Sequence, residues 1–147
     1  MSQSLSFRVP DELAVRLERF ARRLGNDTTR SRAGLILLDE ALREDEFAGI
    51  EFRNTLLGRQ PFVKRTGMAV WEVIMVAKGF DLDAQATANH LECPIDAVNA
   101  ALNYYAGYPT EIEHAILDND VDEIRLRRQV PSLRSFEVPA DRSSEAS

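Results

Sequence analysis

Three polar side chains near the start of the sequence, Ser4, Ser6 and Arg8, occupy alternate positions. On an extended backbone, alternate residues point to the same side. An arginine can donate two hydrogen bonds to O6 and N7 of guanine, and a serine hydroxyl can donate to or accept from several bases. These residues therefore form one polar edge suited to DNA bases, although a plain solvent-facing edge has the same composition.

The residues between them, Leu5, Phe7 and Val9, form an apolar edge on the opposite side of the same extended stretch. A helical pattern follows immediately, so no neighbouring stretch is available to pair with this predicted strand. An unpaired terminal strand is marginally stable and exposes a row of N–H and C=O groups. The strand therefore needs a partner.

Two amphipathic helices are predicted after the strand. Pro10 begins the first, over residues 10–24, and Gly25 ends it. Thr29 caps the second. Apolar residues at helical spacing form their inner sides: Leu13, Leu17, Phe20, Ala21 and Leu24 in the first, and Ala33, Leu37, Leu38, Ala41 and Leu42 in the second.

The order of strand, helix, turn and helix in "SLSFRVPDELAVRLERFARRLGNDTTRSRAGLILLDEAL" resembles the ribbon-helix-helix DNA-binding fold. The resemblance implies a homodimer in which two strands pair antiparallel and enter the major groove of operator DNA. It assigns a dimer core to Leu5, Phe7, Val9 and Leu37. It assigns DNA contacts to Ser4, Ser6, Arg8, Thr29, Arg30 and Ser31.

Gly34, Leu35 and Ile36 depart from the ribbon-helix-helix pattern, which usually has a large aliphatic residue followed by charged ones at these positions. A helical glycine costs about 1 kcal/mol relative to alanine, and exposed aliphatic side chains need cover. We therefore expect the second helix to pack against the domain that follows.

The charge of the chain is distributed unevenly. The net charge is −6, but residues 1–43 contain eight arginines against six carboxylates, whereas residues 44–147 contain ten basic residues against eighteen carboxylates. Since neutralising phosphates supplies much of the affinity for DNA, the DNA contact is expected at the front.

The sequence of the middle of the chain predicts a hairpin and several helices. Thr110 and Glu113, three residues apart, predict a capping box at the start of the last helix. The stretch beginning "GRQPFVKRTGMAVWEVI" resembles a small helix-turn-helix-like domain that is often encoded beside PIN-like ribonuclease toxins and is regarded as an antitoxin component. The matching residues are Gly58, Pro61, Thr66, Gly67, Val70, Ala101, Leu102 and Tyr104. Glu92 stands where such a turn usually has glycine.

Charge argues against DNA binding by this domain, because residues 66–124 contain a single basic residue, Lys78, and eleven carboxylates. The outward residues of its second helix are Ile95, Asp96, Asn99 and Asn103. A protein-interaction or dimer surface is therefore favoured. The basic residues Arg125, Arg127, Arg128 and Arg134 flank apolar residues, and we expect them to contact the acidic, metal-holding site of a toxin, although a solvated helix end has the same pattern.

The predicted fold is mainly α: a ribbon-helix-helix module (residues 1–45) with one strand paired across a dimer, then a hairpin and helix-turn-helix-like domain (46–130), then a disordered tail (131–147). No membrane span, signal peptide, cofactor or metal site is expected. The single Cys93 suits the cytoplasm, and His90, Cys93 and His114 lack a paired ligand motif. "DNDVDE" (118–123) fails as a calcium loop.

No nucleophile–base pattern is present, so an enzyme is not expected. Two functions fit the sequence. The first is a type II antitoxin that also represses its own operon. The second is a free-standing transcriptional regulator whose second domain only dimerises or senses.

Overall fold

The structure, a computed structural model, describes the backbone of residues 1–129 and the side chains of residues 1–120. Over this range the chain is mainly helical with one small antiparallel hairpin, which confirms the predicted fold class at that level. In chain order the elements are α1 (Asp11–Leu24), α2 (Arg30–Glu46), β1 (Ile50–Thr55), β2 (Gly58–Val63), α3 (Val70–Lys78), α4 (Ala84–Leu91), α5 (Ile95–Gly107) and α6 (Pro109–Gln129). The predicted tail, 131–147, lies outside the described residues.

The first two helices begin and end where the sequence predicts them. Pro10 precedes α1, whose first turn carries two carboxylates at the positive end of the helix dipole. Gly25 follows α1 with φ of 141°, which favours glycine. Thr29 caps α2, because its Oγ1 accepts a hydrogen bond from the Arg32 N–H at 3.1 Å.

These two helices contact each other but bury few side chains within one chain. We call residues 1–46 the front module and residues 47–129 the rear domain. In the front module, Ala21 and Ala33 are buried and Leu37 is half-buried. Leu38 and Leu42, which the sequence places on the inner side of α2, are exposed. The inner side of α2 is thus only partly covered by its own chain.

β1 and β2 are each six residues long and pair in a register that places Phe52 opposite Pro61. Both outer edges of the hairpin are protected at this position. The Phe52 N–H donates to Glu44 Oε1 at 3.2 Å, and Pro61 has no N–H to offer. The hairpin is therefore a poor template for adding a further strand.

The hydrophobic core lies in the rear domain. Tyr104 is fully buried, and its ring centroid lies 5.2 Å from that of Phe47, 6.2 Å from that of Phe52 and 5.1 Å from that of Tyr108. Around it are buried residues from the hairpin and four helices: Ile50, Val63, Val70, Val73, Ile74, Ala88, Val98, Ala100, Ala101 and Ile112. Most of the apolar burial of the single chain, and hence of its hydrophobic stabilisation, is in this half.

A three-residue turn joins α4 to α5, as predicted. Glu92 adopts the left-handed conformation (φ 53°, ψ 44°). The N–H groups of Glu92 and Cys93 donate to the carbonyls of Asn89 and Ala88 at 3.4 and 3.1 Å. This pattern closes a helix in the way that glycine usually does, so a glutamate here bears the strain that a glycine avoids.

The predicted capping box at Thr110 and Glu113 is wrong. α6 begins at Pro109, so Thr110 lies inside the helix. The Glu113 carboxylate instead accepts hydrogen bonds from Lys78 Nζ and the Tyr105 hydroxyl. No helix in the described part of the chain combines the length and the apolar character needed to cross a membrane.

Candidate nucleic-acid interface

Residues 1–10 form no secondary structure within the single chain, and all of their side chains are exposed. The chain enters α1 from an extended Pro10 (φ −57°, ψ 146°). Ser4, Ser6 and Arg8 are therefore open to a ligand. Their pairing with the same strand of a second chain, and their contact with bases, stay predictions.

The apolar edge of the same segment is also open. Leu5 is 73% exposed, Phe7 69% and Val9 41%. Exposing three large apolar side chains within six residues is unfavourable, because each forgoes about 1.5–3 kcal/mol of burial. The described residues of one chain do not cover these side chains, so burial by a further surface would be favourable.

A groove of about 530 Å³ runs along α1 beside this segment. Its apolar floor and basic rim are formed by Val9, Leu13, Leu17, Phe20, Gly34 and Leu37 with Arg16, Arg19 and Arg23. The exposed Leu38 and Leu42 continue the apolar surface along α2. The surface available to a second chain thus extends from the N-terminal segment to α2.

The N-terminus of α2 presents a second candidate DNA contact. The Thr29 hydroxyl is already engaged, as it caps the helix. The first N–H groups of a helix, here those of Arg30 and Ser31, have no partner inside it and point along the axis, together with the positive end of the dipole. Both side chains are exposed. The geometry suits a phosphate oxygen.

Most of the arginines of the front module are not neutralised by nearby carboxylates. Among the described residues, the ion pairs of this module with its own carboxylates are Arg22 with Glu18 at 3.5 Å and Arg43 with Asp39 at 3.0 Å. The exposed pair of Arg22 with Glu18 contributes little energy, so the exposed arginines of α1 remain available to a polyanion.

The second half of α2 is attached to the rear domain through charged side chains. The Glu40 carboxylate accepts the Nε–H of Arg59, in β2, at 3.2 Å on both oxygens. The Arg59 guanidinium also lies 5.2 Å from the ring centroid of Phe20. Leu35, however, remains 69% exposed, so the rear domain does not cover the whole of this helix.

Arg43 is the main connection between the two halves. Its Nη1 donates to the Tyr104 hydroxyl at 2.7 Å and to Glu111 Oε2 at 2.6 Å. The Tyr104 hydroxyl donates in turn to Glu111 Oε1 at 2.7 Å. The Arg43 guanidinium also lies 3.9 Å from the Tyr108 ring centroid. One side chain of α2 thus joins α5 and α6.

The environment of this cluster fixes its protonation. Burial opposes the charge of Arg43, but its hydrogen bonds to Glu111 and Tyr104 hold the pKa of Arg43 above its ordinary value. Burial, followed by the hydrogen bond to Glu111, raises the pKa of Tyr104. Arginine therefore stays charged and tyrosine neutral near pH 7, and the cluster links α2 to α5 and α6 as a hydrogen-bonded ion pair.

The outward side of α5 is exposed and carries no positive charge. Ile95, Asp96, Asn99 and Asn103 all face solvent, as predicted. Their packing counterparts Val98 and Ala101 are buried. This surface lacks the positive charge that contact with phosphates requires.

The remaining sequence candidates do not assemble into a site. Within the described residues, no group of three His, Cys, Asp or Glu side chains could hold a metal ion. The "DNDVDE" stretch lies within the continuous helix α6. Arg125, Arg127 and Arg128 lie on the last turns of α6, and Arg134 lies outside the described residues.

Compared with protein families, curated proteins and solved structures, this chain has no match. The connection through Glu40, Arg43 and Arg59 was missed by sequence reasoning, because nothing in the spacing of these residues indicates bonds to partners 19 to 68 positions away. The only signal was indirect, namely the aliphatic residues on α2 that called for cover.

Proposed function

We propose that this protein is a type II antitoxin that pairs with a second copy through residues 4–9 and represses its own operon. In this proposal its C-terminal half neutralises a PIN-like ribonuclease toxin. The observation that supports the proposal is the exposed N-terminal segment, in which polar and apolar residues alternate and which has no strand partner among the described residues.

Antiparallel pairing of two such segments accounts for both edges. The apolar edges of Leu5, Phe7 and Val9 close over the groove and the exposed side of α2. The polar edges then form a two-stranded ribbon, which fits the width of a major groove. Arg8 is the residue suited to a bidentate contact with guanine, and Ser4 and Ser6 flank it.

The length of α2 separates the two proposed functions in space. Its 17 residues span about 25 Å at 1.5 Å per residue. Its N-terminus would rest on a phosphate, while its C-terminus is fixed to the acidic rear domain through Arg43. The rear domain is thus held away from the DNA and remains accessible to a protein partner.

The toxin contact is proposed for the basic end of the chain. Arg125, Arg127 and Arg128, with Arg134 beyond the described residues, are suited to a site built from carboxylates that hold a divalent metal. The alternative, a free-standing regulator without a toxin, shares the front module and differs only in this contact.

DNA binding is tested by fluorescence anisotropy with DNA from upstream of the protein's own gene. Arg8→Ala should weaken binding by about 1–3 kcal/mol for each guanine that the arginine no longer binds. The matched control is Arg22→Ala, because Arg22 is also exposed but lies on α1 and pairs with Glu18. Equal binding by the two variants would contradict the assignment of Arg8.

The toxin contact is tested by inhibition of a ribonuclease-like protein encoded by the adjacent gene. The double change Arg127→Glu and Arg128→Glu should weaken inhibition through repulsion while leaving operator binding intact. Lys64→Glu, an exposed charge reversal in the rear domain, serves as the control. If no such protein is inhibited by the unaltered chain, the alternative function is favoured.

A further inference from the structure

Three large apolar side chains of the rear domain are exposed in the described part of the chain. Phe80 and Leu82, in the loop between α3 and α4, are 37% and 43% exposed, and Ile95, at the start of α5, is 39% exposed. The Phe80 ring centroid lies 5.4 Å from that of His90 in the last turn of α4. We call Phe80, Leu82, His90 and Ile95 the loop face.

The proposed dimer leaves the loop face open. Pairing of the front modules uses residues 4–9, the groove on α1 and the exposed side of α2. The helix that carries His90, α4, packs instead on α3 and α5. The loop face therefore needs an occupant other than the second front module.

Charge indicates which occupant the loop face suits. Asp81, Asp83, Glu92 and Asp96 are next to these apolar residues in sequence, and Asp83 also caps α4 by accepting the Ala86 N–H. Residues 79–107 contain no lysine or arginine. The nearest basic residue in sequence, Lys78, donates to Glu113. Nucleic acid is excluded by repulsion, whereas cations between apolar side chains complement the surface.

We propose that the loop face binds a segment of a second protein in which arginine or lysine alternates with aliphatic or aromatic side chains. The apolar side chains of that segment cover Phe80, Leu82 and Ile95, and its cations meet the four carboxylates. This inference deepens the toxin-binding half of the proposed function, on which it rests, by adding a second contact of opposite charge.

Three of the chain's arginines lie near the described end of α6. The contact of Glu113 with Lys78 places the first turns of α6 beside the end of α3. From Glu113 the helix continues to Gln129, which is about 24 Å further at 1.5 Å per residue. Arg125, Arg127 and Arg128 lie along this extension.

The backbone of Leu82 allows binding and stability to be separated. Leu82 has φ of 61°, a conformation that asparagine adopts more readily than leucine. Leu82→Asn should therefore hold or raise the thermal midpoint while weakening binding about tenfold. Asp96→Lys should weaken binding at least as much. The matched controls are Leu117→Gln and Asp118→Lys, which change exposed residues of α6.

The probe is a peptide with the sequence of residues 125–136, in which four arginines alternate with leucine, valine and phenylalanine. Its binding to the full chain is measured by calorimetry, and a peptide with glutamate in place of each arginine is the negative control. Equal binding by the two peptides, or unchanged binding by both loop-face variants, would overturn the proposal.

Two further outcomes would also overturn it. If the full chain with Arg125, Arg127 and Arg128 changed to glutamate binds the peptide tenfold more tightly, the chain's own end already occupies the loop face. If duplex DNA displaces the peptide, the surface binds nucleic acid. This assay measures neither dimerisation nor operator binding. A negative result would therefore leave those two parts of the proposed function unaffected.

Discussion

Gly34 and Gly107 both lie in helices, but the space around their missing side chains differs. A Cβ at Gly34 would lie 3.8 Å from Leu17 Cδ2, an ordinary contact. A Cβ at Gly107 would lie 2.8 Å from Cζ of Phe47, whose ring packs edge-on against both Tyr104 and Tyr108. The same added methyl group should therefore act in opposite directions at the two positions.

Gly34→Ala should stabilise the protein by up to about 1 kcal/mol, because alanine is the better helix former. Gly107→Ala should destabilise it by about 1–3 kcal/mol through overpacking. Urea unfolding measures both, and each variant is the control for the other. A lower midpoint for Gly34→Ala would show that the groove beside it is filled more closely than one chain indicates.

The environment of Glu113 predicts that the folded protein loses stability in acid. Hydrogen bonds from Lys78 and then from Tyr105 lower the pKa of Glu113 below its ordinary value of 4.5. A group with a lowered folded-state pKa contributes its full stability above the unfolded pKa and loses it as the pH falls through the folded pKa. Stability should therefore decline below about pH 4.5, and Glu113→Gln should reduce this decline.

Thermal unfolding between pH 3 and pH 7 provides the measurement, with Asp118→Asn on the same helix as the control. An acid slope that is the same in Glu113→Gln and in the unaltered chain would contradict the prediction. At high pH the corresponding group is Lys78, because its hydrogen bond to Glu113 raises the pKa of Lys78 above 10.5. The contribution of Lys78 to folding stability therefore persists through neutral pH and is lost only in strong base.

Among the elements, α2 is attached to the rear domain through Arg43 and through the pair of Glu40 with Arg59, and Arg43 makes the larger number of these contacts. Arg43→Met should destabilise the protein by about 2–3 kcal/mol, because it leaves the Glu111 carboxylate and the Tyr104 hydroxyl without their cation. Fully buried pairs lose roughly 3–5 kcal/mol on such a change, and Glu111 is partly exposed. Urea unfolding checks the value.

Arg43→Lys tests whether charge alone is sufficient. An ammonium group is a point charge and lacks the planar fork that reaches Tyr104, Glu111 and Asp39 together. Lysine should therefore recover less than half of the loss. Full recovery would show that the hydrogen-bond geometry of the guanidinium is unimportant.

Elements specified by neighbouring residues could be predicted from the sequence, whereas those specified by distant side chains could not. The Thr29 cap and the turn at Glu92 each depend on a few consecutive residues, and both predictions are confirmed. The capping box at Glu113 failed because Lys78 and Tyr105 compete for its carboxylate. In the candidate site, residue types were predictable, but the fixing of α2 by Arg43 was not.

At the scale of the whole molecule, the two halves differ in how they are stabilised. The rear domain has its own core, and the front module requires a second chain in the proposed dimer. Trp71, the single tryptophan, lies in the rear domain and reports on that half alone. Its fluorescence transition should be independent of protein concentration, while the helical circular dichroism should include a transition that rises with concentration.

Phe7→Asp should remove the concentration-dependent transition, because two buried charges would meet in one small core. Asp11→Asn, an exposed change at the start of α1, is the control. A folded monomer at micromolar concentration in sedimentation would contradict the dimer, as would a Phe7→Asp variant that still shows the concentration dependence.

The attachment of α2 to the rear domain also determines how a dimer would engage its partner. Because Arg43 and Glu40 fix each rear domain to its own α2, two paired front modules would hold two rear domains at a constant separation. A partner with two sites at that separation gains from effective concentration, since its second contact is intramolecular. A partner with a single site, or with sites at another spacing, gains nothing. Selection among partners of similar surface chemistry would thus depend on their own symmetry.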